Sequence, residues 1–112
     1  MISEGDVVLT PLPQANGATK NRPAVVLRKM PPFSDLLVCG ISSQIHQAVP
    51  GFDDVIDTTD PGFVASGLKV ASVFRIGFLA VLPANRFVGT LGAISPERLK
   101  LLRTRLSDHL RP

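Results

Sequence analysis

The sequence predicts a small, mainly β domain, a sheet or barrel, finished by one amphipathic helix. Three observations carry that expectation. Ten prolines and nine glycines cut the 112 residues into short pieces. Most of those pieces are rich in Val, Ile, Leu and Phe, the residues that fit a pleated, half-buried surface. Only residues 93–112 change hydrophobic period, from two to a mixture of three and four.

The elements follow in chain order. DVVLTP (6–11) reads as a first strand, and LPQANGATKN after it as a loop with turn chemistry at Asn16-Gly17. PAVVLRK (23–29) reads as a second strand, with Pro23 at its start, where a missing N–H does least harm. LLVCGISS (36–43) is a third apolar run that ends in two hydroxyls, and residues 44–66 read as short extended pieces among loops. LKVASVF (68–74) and the region around FLAVLP (78–83) are read as two further strands. In the last segment Ser95 is a natural N-cap, Pro96 a natural first helical residue, and Glu97 sits favourably in the first turn. Leu99, Leu102, Leu106 and Leu110 then form an apolar stripe for core or dimer contact, and Arg98, Lys100, Arg103 and Arg105 are expected to form a solvated face. With no repeat, linker or low-complexity segment, the chain is read as one domain, residues 1–112.

Composition narrows the function. No apolar run approaches the roughly 18 residues a membrane span requires, and MISEGDVVL lacks a basic, then apolar, leader. The single Cys39 allows no internal disulfide, and its apolar run reads as packing rather than as a nucleophile. These features give an expectation of a cytoplasmic protein. Two distant histidines, His46 and His109, make no metal site, and no phosphate-binding glycine motif occurs, so neither metal nor cofactor is expected. A net charge of +3 suits an anionic partner, and the charge is uneven. Acids cluster in FDDVIDTTD (52–60), while Lys20, Arg22, Arg28 and Lys29 crowd one loop and strand. Trp and Tyr are absent, so a broad stacking platform is disfavoured and base stacking would fall to Phe, His or Arg.

What remains is a set of guanidinium and hydroxyl groups at strand ends, where functional residues tend to sit. Arg22 precedes the second strand, Ser42 and Ser43 end the third, and Arg75 follows SVF. Arginine offers a planar fork of donors suited to phosphate oxygens and keeps its charge at any working pH. A serine hydroxyl can donate to the same phosphate. The plainer readings make Arg22 a turn residue and the two serines strand-end hydrogen-bond partners.

Three ordered motifs then resemble the PemK/MazF toxin family. GDVVLTPLPQANGATKNRPAVVL (5–27) resembles its opening strand, glycine-containing loop and R-P-[AV]-[VL]-[VL] strand. ISSQI (41–45) resembles its I-T-S element, with Ser42 in place of Thr, and SGLKVASVFRIGFLAVL (66–82) resembles its later G-L-K segment. The resemblance implies an SH3-like β-barrel of the PemK/MazF/CcdB type with a C-terminal helix. It also implies a homodimer, a cognate antitoxin, and metal-independent, sequence-selective cleavage of single-stranded RNA. On this resemblance Arg22, Ser42 and Arg75 are the catalytic candidates. The implied RNA-binding residues are Gln14, Asn16, Thr19, Lys20 and Asn21 of the first loop, with Ser43, Gln44, His46 and Lys69. Gly77 stands where some members carry an aspartate proposed as base, so that version of the mechanism does not transfer. Two other functions are compatible with the chain: a gyrase poison of related fold that cuts nothing, and an inactive relative that still binds RNA or antitoxin.

Overall fold

Residues 1–111 are described by a computed structural model. Alternating Val and Leu draw the first half of the chain into a meander: β1 (Asp6–Pro13), β2 (Thr19–Met30) and β3 (Asp35–Ser42). These are followed by β4 (Asp54–Ile56), a short α1 (Phe63–Ser66), β5 (Ser72–Leu82), β6 (Gly89–Ala93) and the long α2 (Pro96–Leu110). The strands make one antiparallel sheet in the order β4, β5, β3, β2, β1, β6. The sheet is curled into a half-barrel, mainly β with the helix last, as the sequence predicts.

Strand parity sorts the side chains into two cores. Val7, Val25, Leu27, Cys39 and Ile41 face one way and join Ile56, Phe74, Ile76, Ile94, Leu99 and Leu102. Val8, Leu12, Ala24, Val26, Leu36 and Val38 face the other and are covered by Ile2, Phe78, Ala80, Leu82 and Phe87. Helix α2 closes the first core. Ser95 caps it by accepting from the Arg98 N–H at 3.1 Å, Pro96 opens it, and Leu102 is fully buried. The stripe fades outward, with Leu106 partly buried and Leu110 70% exposed.

The two edge strands β4 and β6 do not pair; α1 lies against β6 instead. That approach is backbone on backbone. A Cβ on Gly67, whose φ is +72°, would fall 2.0 Å from the Leu91 carbonyl oxygen, and one on Gly92 would fall 2.3 Å from that of Ala65.

Four expectations need correction. The runs at 68–74 and 78–83 are not two strands but the single β5, which begins at Ser72. Its ladder with β3 jumps from Gly40↔Arg75 to Cys39↔Leu79, leaving Ile76, Gly77 and Phe78 as a bulge. The bulge switches which core the inward residues meet, Phe74 and Ile76 joining the first and Phe78, Ala80 and Leu82 the second, while Arg75 and Gly77 interrupt the apolar run and mimic a gap. Pro23 is not at a strand start: β2 begins four residues earlier, at Thr19, and residues 19–23 pair with β1 alone. Pro23 lies one step beyond the last β2–β3 pair, Ala24↔Gly40, at the margin where a strand tolerates a missing donor. The segment 44–66 contains a helical turn, α1, which four residues are too few to announce. Finally, the basic face of α2 is not simply solvated. Arg98 pairs with Asp54 at 2.7 Å and Asp60 at 2.6 Å, Arg103 pairs with Glu4 and donates to the Leu27 carbonyl, and Arg105 donates to the Asp53 carbonyl at 2.7 Å. Only Lys100 is exposed. The acidic cluster of residues 52–60 is thus a counter-surface for the helix.

Candidate active site

The β1–β2 hairpin runs past the end of the sheet as an arm, with register Thr10↔Arg22, Pro11↔Asn21, Leu12↔Lys20 and Pro13↔Thr19. Its tip is fixed locally. The Gln14 N–H donates to the Ala18 carbonyl at 2.7 Å, the Ala18 N–H donates to Asn16 Oδ1 at 2.9 Å, and Gly17 supplies the positive φ of +84°. Continuing the β2–β3 register past Ala24↔Gly40 carries Pro23 to Ile41 and Arg22 to Ser42. The ladder stops before these residues, so the two strands part here, and Arg22 and Ser42 both line the cleft at the opening. Arg75 arrives from the other side of β3, paired to Gly40.

These residues converge. Gln14, Arg22, Ser42, Ser43, Gln44 and Arg75 line a cleft of about 260 Å³, together with Leu12, Pro23, Gly40, Ile41 and Phe78. No lining residue is acidic. Among the described residues Arg22 makes one side-chain hydrogen bond, a long 3.4 Å contact from Nη2 to Gln14 Oε1. Gln14 is itself held, its Nε2 donating to the Leu12 carbonyl at 3.1 Å. Neither Arg22 nor Arg75 enters an ion pair among the described residues, whereas Arg28, Arg98, Arg103 and Arg111 all do. With no carboxylate in ion-pair reach among the described residues, these two guanidiniums can receive an external anion. Ser42 Oγ accepts the Gln44 N–H at 3.0 Å, so its own O–H is the group left to donate into the cleft.

Other residues singled out in the sequence lie outside the lining. Asn16 shapes the arm's tip, and Thr19, Lys20 and Asn21 are exposed along the arm. His46 is exposed on a 3-10 turn at Ile45–Gln47, and Lys69 is exposed between α1 and β5. Gly77 is exposed in the β5 bulge and adds no carboxylate to the cleft. Phe78 was missed as a site residue, because a Phe in an apolar run reads as core. Among the described residues no group of three or more His, Cys, Asp or Glu is placed to hold a metal ion. Cys39 is buried, and loss of solvation, aided by the nearby Asp53 charge, pushes its thiol up to about 12.

A curled antiparallel half-barrel closed by a C-terminal helix is the fold of a known class of small toxin. Toxin MazF-mt6 of Mycobacterium tuberculosis has a similar structure, with a TM-score of 0.65 at 17% identity over 92% of this chain and 93% of that one. No curated protein matches the chain. The family model of PemK-like, MazF-like toxins of type II toxin-antitoxin systems matches residues 3–110, and the chain belongs to that family. Membership implies an antitoxin partner. Among the described residues no helix is long and apolar enough to cross a membrane.

Proposed function

We propose that this toxin is an endoribonuclease that cuts single-stranded RNA without a metal ion, at the cleft between β2, β3 and β5. The observation that carries this reading is the convergence of Arg22, Ser42 and Arg75 on one carboxylate-free cleft. Cleavage proceeds by attack of a 2′-hydroxyl on the adjacent phosphorus. The 2′-O–P bond forms, the P–O5′ bond breaks, and a cyclic phosphate and a 5′-hydroxyl end result. The barrier lies in the extra negative charge on the phosphorane. Charge-assisted donors already aimed at that position lower it without reorganisation. Arg22 and Arg75 supply the forks and Ser42 a neutral donor. Arginine keeps its proton and so cannot serve as the base; water in the open cleft takes the 2′-hydroxyl proton and a proton from solvent is delivered to the departing O5′. Gln14 orients Arg22, and the exposed arm carrying Lys20 and Asn21 extends the cationic track for flanking nucleotides.

The same reading includes a homodimer. The outer face of β5 exposes Leu79 and Val81, 38% and 52% accessible, as apolar surface for a second copy. Light scattering tests this directly.

The activity is tested by incubating purified protein with a long single-stranded RNA in EDTA and mapping the fragment ends, with Arg22→Ala and Ser42→Ala alongside. Discrete cuts that vanish in both variants are expected. Intact RNA beside an active control nuclease would refute the reading and direct attention to a non-cutting toxin, assayed by gyrase supercoiling.

A further inference from the structure

The cleft has an apolar wall that phosphate chemistry leaves unused. Leu12, Pro23 and Phe78 form it, next to Arg22, Ser42 and Arg75. Phe78 is the cleft's one aromatic lining residue, and its placement is built rather than incidental. In an unbroken strand residues 75 and 78 would point to opposite faces, since side chains alternate with a period of two. The bulge between Arg75 and Leu79 cancels that alternation and brings both into the same cleft. The ring is also seated on bare backbone: a Cβ on Gly40 would lie 2.8 Å from its Cδ2 and 3.3 Å from Cε2 and Cγ. It packs against the second core while staying only partly buried. Part of its surface therefore remains open to the cleft.

We infer that Phe78 is the stacking platform for one nucleobase of the bound strand, the base adjoining the phosphate held by Arg22 and Arg75. The inference rests on the RNA reading above and adds a base subsite to it. An aromatic platform takes any base through its π face, so it contributes affinity and register rather than sequence choice. It also selects for single strands, because a base inside a duplex is already stacked.

The two walls respond differently to salt, which separates them in one experiment. The probe is a short, fully 2′-O-methylated oligoribonucleotide of mixed sequence carrying 2-aminopurine, which lacks the attacking hydroxyl. Its dissociation constant is measured across a salt series for wild type, Phe78→Leu, Phe78→Trp and Arg22→Ala. The unfolding midpoint of each variant is recorded. Phe78→Leu is expected to weaken binding about 5- to 150-fold at every salt concentration, the range for loss of one base–aromatic stack. Its log–log salt slope stays that of wild type. Phe78→Trp retains affinity and quenches the 2-aminopurine, and Arg22→Ala lowers the slope by roughly 0.7, one phosphate contact. Wild-type affinity in Phe78→Leu, with Arg22→Ala still impaired, overturns the platform alone. So does a loss in Phe78→Leu that Trp fails to restore although both variants are folded. Absence of salt-dependent binding by wild type would overturn the RNA reading and the platform with it.

Discussion

Replacing Arg98 by Met tests whether α2 is held by charge as well as by its leucines. The guanidinium meets Asp54 at 2.7 Å and Asp60 at 2.6 Å, donates to the Val55 carbonyl at 3.3 Å, and sits 5.6 Å from the Phe74 ring centroid. The side chains are poorly solvated, at 16% exposure for Arg98, 17% for Asp54 and 28% for Asp60. Each charge-assisted bond contributes about 1.5–3 kcal/mol and the cation–π contact about 0.5–1 kcal/mol. Methionine keeps the aliphatic packing but strands two carboxylates, a defect worth about 3–5 kcal/mol when fully buried. Regained hydration of the half-open carboxylates brings the expected loss to about 2–4 kcal/mol. For a domain of this size about 4 °C is lost per kcal/mol, so the melting midpoint should drop by about 8–16 °C. Thermal unfolding followed by circular dichroism measures it, with the exposed Lys100→Met as control, expected within about 0.5 kcal/mol of wild type. A shift in Arg98→Met no larger than that control would refute the reasoning and return the basic helix face to a solvated role.

Two further outcomes follow from buried or bonded ionisable groups. The backbone N–H of Lys29, with Arg103 and Arg28, holds the Glu4 carboxyl below its ordinary 4.5 against an opposing loss of solvation. A carboxyl depressed in the folded state stabilises above its unfolded value and loses that contribution as pH falls through the folded one. Stability should therefore decline as pH drops below about 4.5, and Glu4→Gln should flatten that decline in a urea-denaturation series; an unchanged pH slope in the variant would contradict the assignment. Cys39, with its thiol raised to about 12, should resist iodoacetamide at pH 8 in the native protein and react fully once unfolded, as read by intact mass. Rapid alkylation under native conditions would show that the strand opens locally.

Much of this architecture is legible in the residues alone, and the illegible parts share a cause. β1, β2, β3 and α2 announce themselves because each keeps one period and ends in recognisable chemistry, such as Ser95-Pro96. β6 is silent because Gly89 and Gly92 dilute its pattern, and Gly92 is there for close approach to α1. β5 splits in the reading because Arg75 and Gly77 interrupt its apolar run at the bulge. The candidate site divides in the same way. Arg22 and Ser42 can be found from their positions at strand ends. That they share one cleft follows only from how the strands part, and Phe78 joins them only through a bulge that no local pattern reveals. Charge misled in one respect: the helix cations look free in sequence, yet three of the four are engaged by residues from 4 to 60.

The β5 bulge also sets how this chain can vary over generations. Surface loops such as the arm's tip can lengthen or shorten at small cost, since closure entropy grows slowly with length. Between Arg75 and Leu79 one residue gained or lost would exchange inside for outside along everything downstream in the strand. Phe78 would leave the cleft, Leu79 and Val81 would trade places with Ala80 and Leu82, and the second core would lose its cover. Substitutions there can be absorbed one at a time, but a change of length cannot. The strand behaves like a reading frame, in which Ile76, Gly77 and Phe78 are spacing as much as they are side chains.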